Sequence, residues 1–451
     1  MEMEAENNQG NLFRNFFSQS LLQVANNLLP IISIPIIVRI IGPDKFGVIN
    51  FATVVMSYFI LLTNYGFDLT ATRAIAIKKN DLAARSEIFN TVLYAKLFLF
   101  LISLITFCFL LYTMPQLYLE KKVAIYSFLI VFSFVLTPTW LYQGMQQLYN
   151  IAIFNFITKL LFTIAVLFVI REKQDYVWQP FMISVAHILV GICAFFWAVK
   201  KYSINIFYVP FKKVLHHLWE ERTIFFSFIS INVYLNASQL ILGLVQTTTD
   251  VAYFSASFRM VNIMHTIVTI PLGMSLFPFI GESFGRSKEE GLERVQMTAP
   301  FIVYLTVIMG IGVWLMAPYI ILIFYGEAFR PSISILRILC FLPVALGVSN
   351  LMGVQTMVNL RLDKPYSRII IIGSVFGVVI NLWLAKAYSY IGGAWALLFT
   401  EILLAVLMWF YLDKNKMKVL SIDYFRPKYI VDTVRPILQN LRNKFKKEKK
   451  A

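Results

Sequence analysis

Charge is what this sequence is short of. Asp, Glu, Lys and Arg make up 14% of its 451 residues, against about 25% in an ordinary soluble domain. That excludes a conventional soluble globule. Cysteine is nearly as scarce. Cys108, Cys193 and Cys340 each lie inside an apolar run, too few and too far apart for a disulfide framework or a zinc site. They read as small packing residues, and no metal or cofactor is expected. The phosphate-binding pattern Gly-x-x-x-x-Gly-Lys-Ser/Thr is missing, as are the zinc-protease motif and a nucleophile elbow. The chain is therefore not expected to be an enzyme, and any work it does has to draw on an ion gradient or on the gradient of its substrate. The start, Met1-Glu2-Met3-Glu4-Ala5-Glu6, has neither the basic region nor the cleavage site of a signal peptide, so the first helix is expected to stay in the mature protein.

What the sequence has instead is apolar length. Hydrophobic residues are 59% of the chain, and the mean hydropathy is +0.70. Runs of about 20 apolar residues are the length that crosses a bilayer as a helix. About twelve such spans are predicted, at 17–41, 47–70, 90–113, 122–142, 151–170, 178–199, 223–246, 251–280, 297–324, 333–359, 369–388 and 391–412. Trp140, Trp178, Trp197 and Trp409 fall near span ends, where an interfacial belt is expected. The fold class is an all-α polytopic membrane protein.

The basic residues set the orientation. The net charge is +16, which on a soluble domain would suggest nucleic acid. Here the cations sit in short loops and a tail. Arg73, Lys78, Lys79 and Arg85 fall in one loop, Lys200, Lys201, Lys212, Lys213 and Arg222 in another, and the stretch after Lys414 is strongly basic. The intervening loops on the opposite side carry far fewer. By the positive-inside rule both termini are cytoplasmic.

The chain is organised around its first hairpin, two spans joined by Gly42-Pro43-Asp44-Lys45-Phe46-Gly47. Gln19, Gln23, Asn26 (or Asn27) and Pro30 share one face of the first span. Lipid cannot satisfy amides, so that face has to meet protein or water. Span seven repeats the oddity with Asn232, Asn236 and Gln239, and Thr249 to Phe254 follows it where the first turn follows span one. Two halves of six spans with the same orientation are related by an axis along the membrane normal. The expected organisation is a six-helix lobe at 1–199, a cytoplasmic linker at 200–222, a second six-helix lobe at 223–412 and a basic tail at 413–451. A central cavity between the lobes is lined by the amide faces. Within the linker, Phe211 to Glu221 has the apolar spacing of a short surface helix. Ile430, Val434, Ile437, Leu438, Leu441 and Phe445 form a similar stripe in the tail.

Charges inside spans are expensive, about 2.5–3.5 kcal/mol each at a helix centre. Lys386 and Arg337 lie near outer ends and can snorkel. His187 reads as a packing histidine, Asp68 as a helix cap or a partner of Arg73, and Glu401 has no evident partner. Arg259, Lys159 and Lys96 are the candidates for a cavity lining. Cations outnumber anions in this set, which suits an anionic substrate such as a pyrophosphate or an acidic sugar; a cationic drug would call for buried carboxylates.

Four stretches carry a resemblance. Asn-Asn-Leu-Leu-Pro at 26–30, Arg-Ile-Ile-Gly-Pro-Asp-Lys-Phe-Gly at 39–47 and Asn-Tyr-Gly-Phe-Asp-Leu-Thr-Ala-Thr-Arg at 64–73 resemble the start of Wzx-type polysaccharide (O-antigen) flippases. Pro138-Thr139-Trp140-Leu141-Tyr142-Gln143-Gly144 is similar to a later part of the same family. These belong to the multidrug/oligosaccharidyl-lipid/polysaccharide exporter superfamily. The resemblance implies a multi-pass transporter of the bacterial inner membrane. It would flip an oligosaccharide linked to undecaprenyl pyrophosphate for lipopolysaccharide or another surface polysaccharide, by alternating access. Implied partners are the lipid-linked oligosaccharide, membrane lipids, and the polysaccharide polymerase and chain-length proteins, with no nucleic acid. Related lipid II flippases line their cavity with arginines on the first, second and eighth helices. Arg259, on span eight, is the position that carries over, while span one has Asn26 and Asn27 where an arginine is implied. The full candidate set is Arg259, Lys159, Lys96, Asn26, Asn27, Asn232, Asn236 and Asp68. A cation-coupled multidrug exporter of the same superfamily is the alternative. A polymerase of the pathway would be expected to carry a large external loop, and every external loop here is short.

Overall fold

The computed structural model describes residues 2–426, and among them it is helical with no strand. The tail stripe from Ile430 to Phe445 lies outside the described residues. The helices are α1 (Glu2–Asn64), α2 (Phe67–Ile77), α3 (Leu82–Thr113), α4 (Pro115–Leu119), α5 (Lys121–Leu136), α6 (Thr139–Gly144), α7 (Leu148–Val169), α8 (Trp178–Lys201), α9 (Phe211–Val245), α10 (Thr248–Met264), α11 (Ile270–Arg286), α12 (Lys288–Phe324), α13 (Ser332–Leu339), α14 (Leu342–Met352) and α15 (Asp363–Lys414).

Among the described residues eight stretches are long and apolar enough to cross a membrane, nine with the bent helix α9. Two are double. The stretch Ser33–Ile77 contains the break at Gly42, and Asp363–Lys414 contains a break at Tyr388 and Ser389. Adding α10 and α11, separated by a π turn at His265–Thr269, accounts for the twelve expected spans. The breaks follow from residue chemistry. Gly42 has φ +74°, a left-handed value that costs glycine little, and Pro43 follows it at the start of the next helical segment. The π turn precedes Pro271, whose missing N–H takes one rung out of the helical ladder.

By packing, the chain forms two compact units, Met1–Ala256 with Ile321–Pro331, and Ser257–Ile320 with the residues from Ser332 onward. The boundary between these packing units falls inside span eight. The reason is visible where two turns meet. A Cβ on Gly47 would stand 1.7 Å from the Thr248 carbonyl oxygen, so the first hairpin turn meets the turn after span seven backbone to backbone. These are the two turns that the sequence places in corresponding positions. The linker is also tied to the first unit. Asn90, fully buried, donates to the Asn205 carbonyl at 2.8 Å and accepts from the Phe207 amide at 3.2 Å, while Ser86 Oγ accepts from the Asn205 amide at 3.1 Å.

In the first unit α5 lies along α8, α1 packs on α7 and α5, and α2 packs on α6. A buried core joins Phe67, Ile75, Phe89, Trp140, Leu141, Tyr142, Ala194 and Tyr202 to Val214 and Leu218 of the linker helix. Trp140 is 2% exposed, so it is a core residue and not part of an interfacial belt; Trp178, Trp197 and Trp409 are exposed. In the second unit α13 and α14 pack against α15. A second π turn, Gly353–Val358, contacts α11 through Gln355, whose amide donates to the Gly273 carbonyl at 2.9 Å.

Candidate functional site

The first hairpin ends in a second break, where Tyr65 and Gly66 both have positive φ, 50° and 87°. This break organises a polar node between α1, α2, α3 and the α5–α6 junction. Pro138 cannot donate to the carbonyl four residues earlier, so α5 stops at Leu136 and the Phe134 carbonyl lacks its helical partner. Lys96 supplies one. Its Nζ, on a side chain 2% exposed, donates to Phe134 O at 3.1 Å and to Asn64 Oδ1 at 2.9 Å. Asp68 lies in the first turn of α2, where an acid suits the helix dipole, and accepts from Thr139 Oγ1 at 3.1 Å. Thr72 Oγ1 donates to the Asp68 carbonyl one turn back at 2.7 Å and lies within 3.1 Å of the Trp140 carbonyl and 3.2 Å of Gln143 Oε1. The motif 138–144 that carried part of the resemblance is thus the far wall of this node. Asn64, Thr72, Thr139 and Gln143 were missed as members. Pro138 was the available signal, because a proline after an apolar run announces a carbonyl in need of a donor.

The expected set is only partly brought together. Lys96 and Asp68 share the node, and Lys96 fills a packed helix junction and not an open cavity wall. Lys159 is half-buried on α7 and interacts electrostatically with His187, which stacks on Phe134 at 6.3 Å. Asn232 and Asn236 are half-buried on one face of α9. Their amide nitrogens donate to carbonyls one turn back, at 3.0 and 3.1 Å. Gln239, next on that face, donates to Ser255 Oγ at 2.9 Å and so ties α9 to α10. The side chains of Asn26 and Asn27 lie outside the described residues. Arg259 is exposed on α10, and among the described residues its guanidinium takes part in no hydrogen bond or ion pair. It belongs to the second packing unit, whereas the other described candidates belong to the first.

The remaining intramembrane charges follow their chemistry. Arg337 stacks on Trp314, 4.9 Å from the ring centroid, and Lys386 is exposed. Glu401 is 1% exposed and accepts from Ser349 Oγ at 3.5 Å. At the first hairpin turn Lys45 pairs with Glu120 at 2.9 Å, and Tyr176 donates to the same carboxylate at 2.6 Å. Partial burial alone would pull the Lys45 ammonium down. The hydrogen bonds and charges of Glu120 and Tyr176 outweigh it and hold Lys45 above the ordinary lysine value. Phe46 packs beside Tyr325 and Phe329, and Arg39 donates to the Ile323 carbonyl, which closes this end of the unit.

Comparison with known proteins decides the family. The model of a family described as polysaccharide biosynthesis protein matches residues 12–284. The chain belongs to the polysaccharide biosynthesis protein family. Within this family it is 26% identical over 413 residues to a protein named "Putative O-antigen transporter" from Escherichia coli (strain K12), covering 91% of this chain and 99% of that one. A protein of the same name from Shigella dysenteriae is 25% identical over 406 residues, covering 88% and 98%. Among solved structures, lipid II flippase MurJ in an inward closed conformation aligns with TM-score 0.74 at 12% identity, covering 94% of this chain and 92% of that one. An inward-facing multidrug resistance MATE transporter aligns with TM-score 0.67 at 14% identity, covering 88% and 94%. The fold is therefore that of the multidrug/oligosaccharidyl-lipid/polysaccharide superfamily, an all-α membrane protein with two six-helix lobes.

Proposed function

We propose that this family member is a flippase. It moves a polyprenyl-pyrophosphate-linked oligosaccharide from the inner to the outer leaflet of a bacterial plasma membrane by alternating access. Both termini lie in the cytoplasm, and the lobes correspond to 1–199 and 223–412. The names of its relatives and its fold support the class of transport. The observation that carries the substrate's charge is the asymmetry of partners inside the spans. The carboxylates Asp68 and Glu401 each accept from a hydroxyl, while Arg259 is exposed without an ion pair among the described residues. A free guanidinium in a membrane-spanning helix is costly unless something anionic meets it, and its fork matches a pyrophosphate.

In this reading the sugar and pyrophosphate enter a central cavity while the prenyl chain stays in lipid, and rocking of the lobes exposes the cavity outward. Arg259 and Lys159 neutralise the diphosphate. The amides on the faces of spans one and seven, Asn26, Asn27, Asn232 and Asn236, meet sugar hydroxyls. Lys96 and Asp68 act from the node by fixing the break that spans two and four share, not by touching the sugar. The test is surface polysaccharide made in cells by Arg259 variants, with membrane abundance measured on the same samples. Arg259→Ala should lose polysaccharide at normal abundance, and Arg259→Lys should keep part of it because the charge remains without the fork. If abundance falls together with polysaccharide in Arg259→Ala, the arginine is a packing residue. Full polysaccharide at normal abundance would end its role.

A further inference from the structure

The linker helix makes one contact that the transport reading does not use. The first turns of α9 lie over the Tyr65–Gly66 break. Tyr65 stacks on Phe225 at 4.1 Å, and a Cβ on Gly66 would meet Ile224 at 3.0 Å. Two turns earlier the His217 ring lies flat on Phe67, with 5.7 Å between centroids and 7° between planes. Val214 and Leu218 beside it are buried. His217 Nε2 is buried and has no hydrogen-bond partner among the described residues, and neither has Thr70 Oγ1. Next to the ring is a cavity of about 250 Å³ walled by α2, α3 and α9, into which Thr70, Lys78, Glu87 and Glu221 project.

We propose that His217 is a proton-operated latch on this break: neutral, it holds the start of α9 against Phe67, and protonated from the cytoplasm, it releases it. The chemistry is direct. An imidazolium carries two N–H donors, and the buried Nε2 position offers the second one no acceptor. A charged ring would therefore have to leave its stack to find water, and the cavity beside it gives water a way in. Burial pulls the His217 ring below the ordinary histidine value; Glu220 works against that, and His216 and Lys213 work with it. A docked value below the undocked one means that docking is fully favoured above the undocked value and weakens as pH falls below it. The docked-to-free ratio then drops by up to about tenfold per pH unit until the docked value is reached.

The other charged groups around the ring do not imitate this response. Glu87 on α3 pairs with Lys213, which holds its carboxyl below the usual range, so mild acid does not break this pair by itself and it parts only when α9 moves away. Lys78 at the end of α2 lines the same cavity. Burial, helped by Glu220, raises Glu221; its protonation favours the docked state and so opposes the His217 response. His216 is exposed and pairs with Glu220 at 3.2 Å. Tyr65, at the break, stacks on Phe225. The latch rests on the cytoplasmic placement of this end proposed above, and its test requires no transport.

The experiment uses the full-length protein in lipid nanodiscs, with Cys108, Cys193 and Cys340 replaced by alanine. Spin labels are placed at Ala83→Cys and Lys212→Cys, both exposed positions, and their separation is measured by pulsed dipolar spectroscopy at pH 7.5 and 5.5. A single short distance is expected at pH 7.5, with a longer population growing in at pH 5.5. His217→Phe keeps the stack and cannot charge, so it should hold the short distance at both pH values. His217→Lys should show the long distance already at pH 7.5, and His216→Gln should behave as wild type. A wild-type distance unchanged between the two pH values would overturn the latch, as would a pH response that persists in His217→Phe.

Discussion

At the scale of single residues, the most informative side chain is Lys96, because it shows how a membrane protein uses a charge for construction. Its ammonium serves two acceptors, the amide oxygen of Asn64 and the Phe134 carbonyl that Pro138 leaves open. Lys96→Ala orphans both, each worth about 1–3 kcal/mol when buried, so the melting temperature and membrane abundance should fall together. Pro138→Ala restores a backbone donor in the position of the missing one. In the Lys96→Ala/Pro138→Ala double variant the losses should therefore be less than additive, which a double-mutant cycle measures. Full additivity would mean that the lysine and the proline act independently. The sequence showed that Lys96 was an unusual cost, but its partners lie 32 and 38 residues away along the chain. Distance in sequence hid them, and a cavity role was the natural expectation for a cation with no visible partner.

At the scale of elements, most breaks were legible because glycine and proline write them. Gly42-Pro43, Pro138 and Pro271 each sit where a helix turns, stops or widens. The break at Ser389, with φ +50°, has no proline, and only the lengths of the flanking apolar runs placed it. The contact between these two turns was not legible at all. Weak similarity put the turns at 42–47 and 249–254 in corresponding positions, but only the fold shows the Gly47 backbone against Thr248. Gly47→Ala should force these turns apart at a cost of at least about 1–3 kcal/mol. External thiol reagents should then label Tyr253→Cys several-fold faster in a cysteine-free background. Unchanged labelling would show that the turns part freely in the native cycle. The Lys45–Glu120–Tyr176 tie at the same end carries a pH signature. Because Lys45 is raised in the folded state, its contribution is whole below the ordinary lysine value and is lost as pH rises through the raised one. The melting-temperature gap between wild type and Lys45→Met should be constant near neutrality and close in strong alkali.

For the whole molecule, the fold was readable because twelve apolar runs and a one-sided distribution of cations leave little choice of architecture. The packing boundary was not. It depends on which helix faces touch: α9 joins the first unit through Gly243 against Phe51, the turn after it through Thr248 against Gly47, and the linker through Asn205 on α3. Topology is the first test at this scale. Reporter fusions at Lys79, Gly285 and the C-terminus should read cytoplasmic, and those at Lys121 and Glu327 external; reversal at two of these would invert the cavity's direction. The most direct test of function is a leaflet-resolved flipping assay. Purified protein is reconstituted into proteoliposomes with a polyprenyl-pyrophosphate-linked oligosaccharide of defined structure, and the fraction reaching the opposite leaflet is followed in time. The predicted result is protein-dependent translocation that Arg259→Ala abolishes at equal reconstitution. Movement of cationic dyes in place of the lipid-linked glycan would contradict it.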